Sequence, residues 1–243
     1  MTTLDRLRIE KAAADCGFER TPVLVDDGSV ELRSARFPEV VVVRSEAGGF
    51  LVSASNPSLL DRSVDEAVSL AGLDTLYGLL QRASALARTM PNRVADQFQR
   101  VTRELPRTTE AERLVVQRVG QDLFRDALLD YWQGRCCVTG LAIPALLRAS
   151  HIKPWAKCAS DEERLDVFNG LLLAPHVDAL FDGGWISFSD EGAVLVSGAL
   201  PAEASSQLGV LSSWSIRNLK PAHTNYLQFH RASELRQPSA FYR

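Results

Sequence analysis

Residues 150–182 read SHIKPWAKCASDEERLDVFNGLLLAPHVDALFD, and they gather two of the chain's four histidines, one asparagine and two spaced aspartates around short apolar runs. LLRASHI before the polar loop and NGLLLA after it are expected strands, being short, leucine-rich and bounded by polar residues. PHVDALFD then reads as a short helix with Pro175 in its first turn, where a missing amide hydrogen costs little. Strand, loop, strand and helix make a compact ββα unit. In it His151 ends the first strand and Asn169 heads the second. His176, Asp178 and Asp182 lie in or beside the helix, with the two aspartates four residues apart and so on one face.

These residue types suit one chemistry. An imidazole at 151 accepts a proton near neutral pH. Carboxylate and imidazole together suit a divalent cation such as Mg2+ or Mn2+, or a transition ion such as Zn2+ or Ni2+. A cation of that kind neutralises charge on phosphorus oxygens while His151 takes the proton of an attacking water, which is metal-assisted phosphodiester hydrolysis. Asn169 is expected to hydrogen-bond across the polar loop and so fix the histidine strand. Lys153 is expected to reach a phosphate, and Trp155 to pack the loop or stack on a base. The bland alternatives are a satisfied structural histidine and a solvated aspartate pair, and Asp182 also fits a cap for the turn at Gly183 and Gly184. The strand order and the asparagine weigh against coincidence.

Upstream, TTEAERLVVQRVGQDLFRDALLDYWQG begins with Thr109 and Glu112 at capping-box spacing. Leu114, Val115, Val119, Leu123, Phe124, Ala127 and Leu128 recur at helical spacing, which predicts one amphipathic helix exposing Arg113, Arg118 and Arg125. CCVTG is expected as a further short strand. The first hundred residues contain no histidine and read as a small α+β unit. There, a helix (LDRLRIEKAAADCG) precedes strands VLV, VEL, EVVVVRS and GFLVSAS, broken by hairpin-type DDGS and EAGG. Helical patterns follow in SVDEAVSLAG, LDTLYGLLQRASALART and NRVADQFQRVTREL, with Pro91 separating the last two. The expected organisation is therefore an α+β chain of two domains, 1–104 and 105–243.

The 243 residues, 46% hydrophobic and 23% charged, suffice for a proper core. No apolar run approaches the roughly 18 residues of a membrane span, and the first twenty residues carry both charge signs without an apolar signal core, so the expectation is a cytoplasmic protein with no membrane partner. The four cysteines form no repeated CxxC pair, which leaves a disulfide framework and a four-cysteine zinc site without support. Net charge is −3, but it is patterned: Lys and Arg against Asp and Glu number 9 to 6 over 101–158, 1 to 9 over 159–213 and 5 to 1 over 214–243. An acidic block between basic flanks suits a hard cation inside a phosphate-attracting rim.

The run CVTG…ASHIKPW…DEERLD…NGLLLAPHVDALFDGGWISF resembles the HNH endonuclease family, in its restriction-endonuclease-like branch with a C-terminal HNH domain, over roughly residues 104–235. The resemblance implies a ββα-metal (His-Me finger) fold with flanking helices and DNA as partner. It also implies a divalent cation, His151 as general base, Asn169 as loop support and His176 as metal ligand. Relatives often carry a ligand just before the base, where this chain has Ser150, and a ligand histidine nine residues after the asparagine, where it has Asp178. Asp178 and Asp182 are the candidates to complete the metal shell. The N-terminal domain would choose the target or a partner in a restriction or defence role, and a homodimer would let one site per chain cut both strands. The competing expectation is a degenerate HNH module that binds DNA or a protein without cutting.

Overall fold

The computed structural model describes residues 2–60, 67–90, 92–106 and 108–237. The chain divides into two compact units, Met1–Met90 and Pro91–Arg243.

In the first unit, helix α1 (Thr3–Asp15) starts at Thr2, whose hydroxyl accepts the Asp5 amide at 3.1 Å. Five antiparallel strands follow in sequence order: β1 (Val23–Leu24), β2 (Val30–Leu32), β3 (Val41–Glu46), β4 (Gly49–Ala54) and β5 (Val68–Leu70). Helix α2 (Leu73–Thr89) completes the unit. Period-two alternation decides the buried face: Val41 and Val43 of β3 and Phe50, Val52 and Ala54 of β4 point one way, onto Ile9 and Ala12 of α1 and Leu76 and Leu80 of α2. The sequence DDGS turns between β1 and β2 with Gly28 at φ +81°, and Asp27 accepts both the amide and the hydroxyl of Ser29. The expected helix over SVDEAVSLAG meets a correction. Its residues 63–66 lie outside the described residues, and Val68–Leu70 is a strand, because the free edge of β4 offers backbone partners from Phe50 to Val52.

The second unit opens with α3 (Arg93–Thr102) and α4 (Glu110–Tyr131). Thr109 and Glu112 form the capping box expected of them. Val94, Ala95 and Phe98 of α3 belong to the core of this unit. The pair β6 (Arg148–His151) and β7 (Gly170–Leu173) is antiparallel, with His151 opposite Gly170. The loop between them carries the short helix α5 (Asp161–Arg164). Helix α6 (Pro175–Asp182) follows, then the hairpin β8 (Ile186–Phe188) with β9 (Val194–Val196), α7 (Ala202–Gln207) and α8 (Thr224–Ser233). All four residues of β7 are buried, as a strand sandwiched between helices requires.

Two expectations differ here. CCVTG is not a strand: residues 137–139 form a turn, tied to its surroundings by Cys137, whose amide donates to Leu172 O and whose carbonyl accepts from Arg217. The buried stripe of α4 begins at Val116, so Leu114 and Val115 are exposed, while Arg125 is turned inward and donates to the carbonyls of Leu147 and Pro144 at 2.7 and 2.9 Å. Among the described residues no helix is long and apolar enough to cross a membrane.

Candidate active site

The hairpin β6–β7 is fixed from one side by a missing side chain. A Cβ on Gly170 would stand 2.6 Å from Phe124 Cζ and 2.7 Å from a Leu128 methyl, so glycine at this position lets α4 lie directly on the strand pair. Phe124, brought close in this way, forms the floor under His151: the two rings stack with centroids 3.9 Å apart and 14° between planes. Trp155 meets the imidazole edge-on at 5.5 Å. Burial in this aromatic slot lowers the His151 pKa from its ordinary value, against a smaller opposing effect of its hydrogen bond to Arg164.

That hydrogen bond runs between His151 Nε2 and Arg164 O at 2.8 Å. A carbonyl only accepts, so Nε2 carries the hydrogen and the lone pair of the neutral ring lies on Nδ1. Nδ1 makes no hydrogen bond to any described residue. The hydrogen bond orients the ring, and in the neutral form that its lowered pKa favours, Nδ1 is the basic nitrogen.

Asn169 holds the loop that supplies the Arg164 carbonyl. It is fully buried. Its Oδ1 accepts the Lys153 amide at 2.7 Å, and its Nδ2 donates to Lys153 O at 3.2 Å, to Glu163 O at 3.1 Å and to Cys158 Sγ at 3.4 Å. One side chain thus ties the start of the loop to its middle. The C-terminal segment adds two further ties, from Tyr226 Oη to Asp166 Oδ2 at 2.9 Å and from Lys157 Nζ to Glu234 Oε1 at 2.6 Å.

Along β6 successive side chains alternate. His151 faces α4, whereas Ser150 is buried on the side of α6. There Asp178 sits half-buried, and its pKa is raised by desolvation and by the neighbouring Asp182 charge, against the lowering effects of the Ser150 hydroxyl and of Arg148. Arg148, two residues before Ser150 and so on the same face of the strand, escaped the reading of the sequence. No spacing rule marks it; only the packing of α6 on β6 makes it a neighbour of Asp178.

Of the three residues expected to hold a metal, Asp178 and Asp182 share a helix face. His176 does not join them: two positions along a helix is about 200° of rotation. Its exposed ring instead lies 5.7 Å from that of Trp214. Among the described residues no group of three or more His, Cys, Asp and Glu side chains is placed to hold a metal ion. The donors beside Ser150 are oxygens only. That fits a hard cation, which takes one or two carboxylates and completes its shell with water and phosphate oxygens, better than it fits Zn2+ or Ni2+, which favour nitrogen and sulfur.

The two loop residues expected at a nucleic acid are engaged within the protein. Lys153 Nζ pairs with Glu163 at 2.7 Å and lies 5.2 Å from the centre of the Phe229 ring. Trp155 is partly buried against the second core, and a Cβ on Gly120 would come within 2.7 Å of its ring.

Residues 136–189 match the model of the HNH endonuclease family, a span that contains β6, the loop, β7, α6 and β8. This segment carries the antiparallel strand pair and following helix of the ββα-metal fold within an α+β chain, and its match to that family associates it with nuclease activity on nucleic acid. No curated protein matches the chain.

Proposed function

We propose that residues 91–243 form a divalent-metal-dependent DNA endonuclease that hydrolyses phosphodiester bonds in a restriction or defence setting, with the first unit choosing the target. The observation that carries this reading is His151: a partly buried imidazole whose lowered pKa favours the neutral form, locked by Arg164 O and Phe124, with Nδ1 left to take a proton. A water held at Nδ1 gives up its proton to that nitrogen as its oxygen attacks phosphorus. Asn169 works at one remove, keeping the loop and hence the Arg164 carbonyl in place. Asp178, with Asp182 and the Ser150 hydroxyl, would hold Mg2+ or Mn2+, which supplies neutralisation of the phosphate oxygens and of the leaving alkoxide. Arg148 adds a cation at the same face for a non-bridging oxygen. A phosphodiester laid across the end of β6 would meet His151 from one side and Asp178 from the other. A homodimer would bring two such sites to the two strands.

A second reading is an HNH module that binds DNA or a protein without cutting. It is favoured by Ser150 in the ligand position and by the lack of a three-ligand group among the described residues. One experiment separates the two. Purified protein is incubated with plasmid and Mg2+ or Mn2+, beside His151→Ala and a chelator control. Nicking by the parent that disappears in both controls supports the endonuclease, whereas binding without nicking at any metal concentration discards it.

A further inference from the structure

The first unit holds a cavity of about 500 Å3 lined by Arg20, Arg33, Ser34, Ala35, Arg36, Phe37, Pro38 and Val40. Three arginines thus line one hollow, in a unit whose formal charge elsewhere is dominated by carboxylates. The segment that carries them is rigidly built. Glu19 accepts from Ser34 Oγ and from the Ala35 amide, each at 2.8 Å, and the Ser34 hydroxyl in turn accepts the Arg36 amide at 3.1 Å. Arg20 N donates to Arg33 O at 3.2 Å, joining the chain after α1 to the end of β2. Phe37 is buried edge-on against Phe18, with centroids 5.5 Å apart. The anchored backbone gives each arginine a fixed root.

The acidic groups nearby are already committed. Glu31 pairs with Arg33, and Glu19 is held by the loop, with its pKa lowered chiefly by the Ala35 amide. Arg20 and Arg36 have no carboxylate within 4 Å among the described residues. The three like charges, only partly offset by Glu31 and Glu19, repel one another, and an entering oxyanion relieves that repulsion while accepting in-plane hydrogen bonds that suit guanidinium. The hollow is open: five of its eight lining residues are exposed, and Phe37, Pro38 and Val40 give it an apolar side. Such a groove admits a polymer running through it more readily than it encloses a small molecule.

The geometry points to this arginine groove as a seat for the phosphate backbone of DNA, so that the first unit grips the duplex directly. The choice of DNA over another polyanion rests on the endonuclease reading of the second unit. The test measures binding of a fluorescent duplex to the full chain by anisotropy, with chelator present so that no cleavage intervenes. The double variant Arg20→Glu, Arg36→Glu is compared with the parent, with the conservative pair Arg20→Lys, Arg36→Lys, and with a charge-matched control, Arg8→Glu, Arg82→Glu. The expected result is roughly tenfold or greater weakening at about 0.1 M salt in the groove variant alone, with the slope of log affinity on log salt reduced by about two. The lysine pair is expected to retain most of the affinity. Equal affinity and slope in groove and control variants would overturn the inference, as would a parent that binds no duplex or that prefers a poly-glutamate peptide. Plasmid cleavage by the same preparations is scored separately, so a protein that cuts DNA but ignores the groove substitutions sinks this inference alone.

Discussion

Two histidines of the second unit rest on phenylalanine rings at the same separation, 3.9 Å between centroids: His151 on Phe124 and His230 on Phe181. They differ in what their nitrogens do. His230 uses both, Nδ1 with Ser187 Oγ at 2.9 Å and Nε2 with Phe181 O at 3.2 Å. His151 uses only Nε2. Packing alone therefore does not separate the two rings; His151 differs in keeping an unused nitrogen on a partly exposed residue, whereas the unused nitrogen of His223 is fully buried.

The contrast can be broken most sharply by paired substitutions. His151→Ala is expected to lower plasmid cleavage by about 10²–10⁴-fold in folded protein, as loss of a general base does. His230→Ala is expected to leave the activity of folded molecules alone and to destabilise the unit by about 2–4 kcal/mol, since it empties a buried site and strands the Ser187 hydroxyl. Denaturant unfolding beside single-turnover cleavage measures both; comparable activity losses per folded molecule would abolish the distinction.

Acid should destabilise the second unit through its structural histidines. Burial lowers the pKa values of His223 and His230 from 6.5 to about 4, and His223 Nε2 is buried without a hydrogen-bond partner, its ring among Tyr131, Trp132 and Phe168. Between pH 6.5 and 4 the unfolded chain binds more protons than the folded one, so stability is full above pH 6.5 and declines as pH falls through that window. Each histidine withdraws up to about 3 kcal/mol by pH 4. The thermal midpoint followed from pH 7 to pH 4 should fall steeply, and a flat profile would contradict the buried neutral state of these rings.

Asn169→Ala is expected to cost about 2–3 kcal/mol, because the amide and carbonyl of Lys153 and the carbonyl of Glu163 lose their partner in a buried loop. Cleavage should fall with it as the Arg164 carbonyl loosens. Asn169→Asp, which keeps the acceptor but turns a carboxylate oxygen onto the Lys153 and Glu163 carbonyls, should cost at least as much. The smallest effect belongs to His176→Ala: turned away from Asp178, it should alter cleavage within about twofold, the change that roughly 0.5 kcal/mol makes. A large loss at His176 with none at Asp178→Ala would reverse the assignment of the metal-facing side of α6.

The β6–β7–α6 core was legible because each of its elements is short and carries its own punctuation, Asn169 before one strand and Pro175 at the start of the helix. SVDEAVSLAG misled because its apolar residues fit a helical face as well as a strand, and only the open edge of β4 decides between them. The engagement of Lys153 by Glu163 and the nearness of Arg148 to Asp178 were invisible for another reason: both depend on tertiary approach, which no local period encodes. That the His176 ring lies beside Trp214 was equally hidden, because helical rotation matters more than closeness along the chain.

The ties from Tyr226 to Asp166 and from Lys157 to Glu234 set an order of assembly. A growing polypeptide exposes His151 and Asp178 to the cell well before the residues that brace their loop have been synthesised. On the nuclease reading proposed above, the loop beside His151 gains its full bracing only once residue 234 has emerged and α8 has docked. Ribosome-arrested chains ending before Tyr226 should bind metal weakly and cut nothing, and cutting by such chains would show that the brace is dispensable.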